Sequence, residues 1–271
     1  MSLLIFSHAN SFPASTYGVL LASLKKRGFT VKAIEKFGHD ERYRVTNNWP
    51  HIVQELADFA QPLVEKSGEK AWLVGHSLGG TLSAMCASRH PDLVRGIVSL
   101  DAPLFSGWKA IALSTLKASG LVSSISPGKI SQSRTQTWAS ERAAYDSFKS
   151  KRVFALWQDQ VLRDYIAYGT HEGEDGKRHL SFDRDVETQI YNTLPDNLPS
   201  LIRHKPLQCP AAFIGGLQSD ALKIAGVTFT KKFTQGRMNW IDGTHLFPME
   251  KPLATAALVE GSIHAMSSAQ D

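Results

Sequence analysis

The sequence predicts an α/β fold, a parallel sheet with helices on both faces. Three observations carry that reading. Short apolar runs alternate with helical stretches through the first hundred residues, and alternation of this kind builds a parallel sheet. The runs are mostly apolar rather than half-polar, as strands covered on both faces are. The strand pattern returns near the C-terminal end, after a long helical interruption.

The elements follow in order. "LLIFSHA" reads as a buried strand ending near Ser7. "YGVLLASLKKRG" places Tyr17, Leu20, Leu21 and Leu24 on one helical face, and Gly28 stops it. "FTVKAI" alternates Phe29, Val31 and Ala33 as a strand does. "PHIVQELADFAQPLVEK" opens on Pro50 and repeats Ile52, Leu56, Phe59 and Leu63, a helix with Pro62 as a kink site. "AWLV" is a buried strand, "LGGTLSAMCASRHP" a helix halted before Pro91, and "VRGIVSLDA" a strand ending at Asp101.

After Pro103 the pattern is helical and aromatic for about a hundred residues: "GWKAIALSTLKASG", "WASERAAYDSFKSKRVFALW", "DQVLRDYIAYG" and "DVETQIYNTL". A run this long between strands is no connecting loop. Residues 103–207 are therefore expected to form an inserted helical cap, with 1–102 and 208–271 forming the core domain. "AAFIGG" and "MNWID" restore strands, and "PLATAALVEGSIHAM" supplies a closing helix. Most of the inserted aromatics, among them Trp108, Trp138, Phe148, Phe154, Trp157, Tyr165, Tyr168 and Tyr191, are expected in the insert's own core or its seam with the sheet, and a minority in an apolar pocket.

Composition narrows the function classes. With 42% hydrophobic and 20% charged residues the chain is globular rather than disordered. No stretch approaches the ~18 apolar residues of a spanning helix. No basic start and apolar core of a secretory signal stands at the N-terminus, so a cytoplasmic location is expected. The formal charge of +5 is spread thinly: residues 103–207 hold 14 Lys/Arg against 11 Asp/Glu. Nucleic acid is not an expected partner. Cys86 and Cys209 form no CxxC pair, so neither a zinc knuckle nor a disulfide framework is expected. "HEGEDGKRH", His171 to His179, lacks a recognised ligand spacing and reads as an exposed charged loop, not a metal site.

The informative stretch is "AWLVGHSLGG". Glycines on both sides of a serine, between a strand and a helix, suggest a strained turn whose neighbours must lack side chains. Such a turn lifts the Ser77 hydroxyl above the sheet edge and places the Leu78 N–H at a helix N-terminus, where negative charge is favoured. Gly75-His76-Ser77-Leu78-Gly79 is a G-x-S-x-G nucleophile elbow. A nucleophilic serine needs a base, and the base an orienting acid. Asp220 follows the strand "FIGG" and His245 follows the strand "MNWI". Asp101 also ends a strand and is the rival acid.

With "SHANSFPAS", "GHSLGG", "GLQSD" and "GTHLFPMEKP" in this order, the chain resembles the α/β-hydrolase superfamily, in its serine branch with a helical cap. The resemblance covers the strands and turns of the core; the cap matches in place and character. It implies that Ser77, Asp220 and His245 serve as nucleophile, acid and base, with Asp220 favoured over Asp101 although some relatives place the acid at the Asp101 position. It implies an oxyanion hole from the Leu78 N–H and from Asn10, which follows His8-Ala9 where relatives carry His-Gly. His8 is expected to brace the loop. The family's usual N-terminal hairpin is missing, so about six core strands are expected. Ser77 stands where haloalkane dehalogenases and epoxide hydrolases carry a carboxylate. The expected activity is cleavage of a small or medium carboxylic ester with an apolar part, with no cofactor. Thioesterase, carbon–carbon bond hydrolase and acyl transferase share the machinery, and a non-catalytic ligand receptor is the reading from another class.

Overall fold

In the computed structural model, residues 2–119 and 128–268 are described. Gly120, expected at a helix end, and the side chain of Trp108 lie outside the described residues. Strand β1 (Leu3–Ser7) leads through a 3-10 turn (Ala14–Tyr17) into α1 (Gly18–Lys26). Then come β2 (Thr30–Ala33), α2 (Pro50–Ser67), β3 (Ala71–His76), α3 (Leu78–Arg89) and β4 (Val94–Leu100). Pro50 opens α2, where its missing N–H costs nothing, and Gly68 closes it at φ 70°.

Residues between β4 and the next core strand fold as α4 (Gly107–Ala118), α5 (Gly128–Ser133), β5 (Thr137–Trp138), α6 (Glu141–Lys149), α7 (Asp159–Gly169), β6 (Thr170–Glu172), β7 (Arg178–Leu180), α8 (Arg184–Asn192) and α9 (Leu198–His204). The core resumes with β8 (Ala211–Gly216), α10 (Asp220–Ala225), α11 (Thr228–Phe233), β9 (Met238–Ile241), α12 (Phe247–Glu250) and α13 (Pro252–Ser267).

The core sheet has six strands in the order β2-β1-β3-β4-β8-β9, and every neighbouring pair is parallel. Alternation along β1 divides the interior. Leu4 and Phe6 join the residues packed beneath α1 and α13, and Leu3 and Ile5 join those beneath α2 and α3. The chain runs from β1 outward to β2 and returns to β3 on the other side of β1, so the strand order reverses there. Ligands of open parallel sheets bind at the carboxyl edge beside such a reversal. Ser7, Ser77 and Asp101 all lie on that edge, at or just after the ends of β1, β3 and β4.

The inserted segment is less purely helical than its periodicity implies. It contains a three-stranded sheet, β5-β7-β6, with both pairs antiparallel. The stretch expected as a charged loop is a hairpin in which His171 and His179 face each other across β6 and β7. Its turn hides in a run of charges, with Gly176 at φ 70° and Asp175 accepting the Lys177 N–H at 3.0 Å. Trp138, Phe148, Phe154, Trp157 and Tyr165 form one buried aromatic group continuous with the α1 face of the core, so these five act in packing. Tyr168 is exposed.

Candidate active site

Ser77 sits between β3 and α3 at φ 52°, ψ −111°, a conformation costly for a residue with a Cβ. The glycines make it possible. A Cβ on Gly75 would stand 2.2 Å from the Gly79 carbonyl, and one on Gly79 would stand 2.1 Å from the Ser7 carbonyl oxygen. A Cβ on Gly80 would meet Ser99 and Ala102 side chains at 2.6 and 2.7 Å. The elbow is thus packed against its own first helical turn, against β1 and against the end of β4 so closely that only hydrogen fits at three positions.

His245 follows β9 in a loop held by a carboxylate four residues into the next helical turn. Glu250 accepts the Thr244 N–H at 3.1 Å and also the Thr244 hydroxyl. This leaves the His245 imidazole with Nε2 at 3.0 Å from Ser77 Oγ and Nδ1 at 2.7 Å from Asp101 Oδ2. The Asp101 oxygen can only accept, so Nδ1 carries the proton and Nε2 accepts from the serine hydroxyl. Asp101 is fully buried. Its carboxylate is also met by the Gly216 N–H at 2.7 Å on Oδ1 and by the Ser219 hydroxyl on Oδ2. Three donors on one buried carboxylate satisfy its oxygens and offset its desolvation.

This placement corrects the expectation for the acid. Asp220 begins α10 with its side chain 86% exposed, and it pairs with Lys223 at 2.7 Å. The reason is local. Ser219 caps α10, accepting the Leu222 N–H at 3.3 Å, and its hydroxyl turns inward to Asp101. The next side chain then points to solvent. β4 and β8 are neighbours, so the loops after both reach the same edge and strand order alone does not choose between them. The legible signal was "SDAL", a serine N-cap that puts aspartate on the outer first turn. Ser219, Gly216 and Glu250 have no motif of their own and were not singled out.

His8 braces the turn after β1. Its Nε2 accepts the Phe37 N–H at 2.9 Å, and Nδ1–H therefore donates to the Ala9 carbonyl at 2.8 Å. Burial lowers the His8 pKa to about 4. A peptide's N–H points opposite its carbonyl, so the bond on the Ala9 oxygen also aims the Asn10 N–H. Ala9 carries its side chain without a left-handed backbone, because the positive φ of this turn falls on Ser11, at 78°. The Asn10 amide nitrogen donates to the Glu187 carbonyl of α8 at 3.0 Å. Ser11 Oγ donates to Glu187 Oε1 at 2.5 Å, and Arg134 pairs with the same carboxylate at 2.6 Å. The inserted segment thus grips the turn directly. The Leu78 N–H is the first of α3, and no helical carbonyl lies four residues behind it. A cavity of about 480 Å³ between α6 and α7 shares no lining residue with this site.

Comparison with known proteins agrees with this architecture. The model of the Alpha/beta hydrolase family matches residues 4–258. A 2-(acetamidomethylene)succinate hydrolase of Mesorhizobium japonicum is 31% identical over 103 residues, 36% of this chain and 35% of that protein. A pyrethroid hydrolase of Sphingobium wenxiniae is 29% identical over 104 residues, 37% of this chain and 36% of the other. The matched stretches span about a third of these curated relatives. The crystal structure of an E-2-(acetamidomethylene)succinate hydrolase superposes over 97% of this chain and 91% of its own, with a TM-score of 0.76 at 20% identity.

Proposed function

The chain belongs to the alpha/beta hydrolase family, and from that premise we propose that it is a serine hydrolase cleaving a small or medium carboxylic ester. One observation carries the reading. Ser77, at positive φ on the sheet's carboxyl edge, is joined through His245 to a buried aspartate by bonds of 3.0 and 2.7 Å.

In the proposed reaction Ser77 Oγ attacks the acyl carbon and its proton passes to His245 Nε2. Asp101 holds the Nδ1 proton and stabilises the imidazolium. The carbonyl oxygen gains the negative charge, and the N–H groups of Leu78 and Asn10, with the positive end of α3, receive it. Collapse breaks the C–O bond, and the leaving alkoxide takes the proton from Nε2. Water then gives a proton to Nε2, attacks the acyl-serine, and releases the acid as Ser77 recovers its proton. Residues 103–207 serve as the cap in this reading. In its support, they depart from the strand end that bears Asp101, and Glu187 bonds to Asn10 and Ser11.

A fluorophosphonate probe followed by peptide mapping tests the nucleophile, and a panel of nitrophenyl esters tests the reaction. Stoichiometric labelling at Ser77 with ester turnover is expected. Labelling without ester turnover, but with turnover of a thioester or a dienoic diketo acid, replaces the ester. Absence of both labelling and turnover overturns the hydrolase reading.

A further inference from the structure

Two buried side chains outside the Ser77–His245–Asp101 relay join its base to the oxyanion turn. Tyr17, at the end of the 3-10 turn before α1, is 1% exposed, and His76 is fully buried. The ends of the chain fix the direction of each bond in it. The His245 carbonyl can only accept, so His76 Nε2, 2.8 Å away, carries the proton. His76 Nδ1 is then an acceptor, and it takes the Tyr17 O–H at 2.8 Å. The Tyr17 oxygen accepts the Ala9 N–H at 3.1 Å. The rings follow the same order in space, Tyr17 edge-on to His76 with centroids 5.9 Å apart and His76 tilted to His245 at 5.1 Å.

One end of this chain holds the backbone of the base. The other holds the peptide just before Asn10, whose own N–H is aimed by His8. Two apolar side chains would fill the same space without the cost of burying a hydroxyl and an imidazole. Burial also holds both groups neutral, pushing the phenol of Tyr17 up and the imidazole of His76 well down. No change of charge therefore disturbs the chain near neutral pH.

We propose that Tyr17 and His76 are positioning residues that set the separation between the base, His245, and the oxyanion-donating turn at Ala9–Asn10. This rests on the serine-hydrolase reading given above. The two groups touch no reacting atom. Their effect is to hold a proton acceptor and a charge-stabilising donor at a fixed spacing, which the transition state needs and the ground state does not.

Tyr17→Phe removes one oxygen and leaves both the Ala9 N–H and His76 Nδ1 without their partner. The expected result is a fall in kcat of about 10- to 100-fold with KM within about twofold, since sub-ångström misplacement of reacting groups acts on the transition state. His76→Gln, which can still present an N–H to the His245 carbonyl, should retain more of kcat than His76→Phe. Melting temperatures of all three variants serve as the folding control. A further readout needs no turnover: ¹⁵N spectra of the wild type should show His76 protonated at Nε2 with no titration between pH 5 and 9, and Tyr17→Phe should move the His245 signals. Unchanged kcat in a folded Tyr17→Phe variant overturns the proposal, as does an equal loss in the Gln and Phe variants at position 76. A His76 that titrates, or is protonated at Nδ1, overturns it too. If Ser77 takes no fluorophosphonate and no ester turns over, the hydrolase reading fails, and the spectra still decide whether the chain of bonds exists.

Discussion

His245 Nδ1 lies 2.7 Å from Asp101 Oδ2, across a sequence separation of 144 residues. Asp220, much nearer in sequence, faces solvent. The two aspartates therefore make opposite predictions. Asp101→Asn allows the wrong imidazole tautomer and should lower kcat on the order of 10⁴-fold. Asp220→Asn should stay within about twofold, because it removes only an exposed pair with Lys223. Steady-state kinetics of the two purified variants rank them, and the reverse order would return the acid's role to Asp220.

Ser77→Ala should lower turnover on the order of 10⁴-fold or more and abolish fluorophosphonate labelling. The hydroxyl fills little space, so stability should change by about 0.5 kcal/mol or less. Thermal melting beside the activity assay separates loss of chemistry from loss of fold.

Gly79→Ala tests the packing of the elbow. The added methyl would lie 2.1 Å from the Ser7 carbonyl oxygen, which is backbone and cannot swing away. A loss of about 3 kcal/mol or more is expected from such overpacking. Gly261→Ala is the control, because a Cβ there meets nothing within 4 Å. Urea unfolding of both variants measures the difference.

His8 predicts an acid-side loss of stability. The unfolded chain takes up its proton near the ordinary histidine value of 6.5, and the folded chain only near pH 4. Between these values the unfolded state binds more protons. The contribution is fully present above pH 6.5 and is lost as pH falls to about 4, on the order of 3 kcal/mol in all. Glu55, which burial pushes up to about 7, acts oppositely over part of the window, so the slope must be read by difference. The stability gap between wild type and His8→Gln should shrink as pH falls from 7 to 4. A gap independent of pH would mean that His8 is not held neutral by the fold.

The core was legible because its signals are redundant. Most core strands are apolar runs bounded by a stop, the core helices repeat an apolar face, and Ser77 lies in a motif whose glycines have a packing explanation. His245 was found because a strand and a loop frame it. Its carboxylate partner was not, because aspartates follow two adjacent parallel strands, and choosing between them depends on which way Ser219 turns its hydroxyl. The hairpin of the insert was hidden by charge: Arg178, His179 and Glu172 carry no alternation of apolar residues to betray strands. Glu187, Tyr17 and His76 act through bonds to residues distant in sequence, which leave no periodic trace.

The parallel pairing of β4 with β8 limits how this protein can be shortened. The insert leaves from the carboxyl end of β4 and must re-enter at the opposite, amino end of β8. Parallel neighbours cannot be joined by a tight turn; they need a crossover of a dozen residues or more. The descending path is supplied by α9, against which α3 is fastened where Ser88 Oγ donates to the Lys205 carbonyl at 2.6 Å. Leu198, on the same helix, is buried with the α2 and α3 side chains. A shortened chain would therefore have to keep a crossover that includes 198–207, and a replacement for the insert would succeed only if its final segment travels from the carboxyl to the amino edge of the sheet.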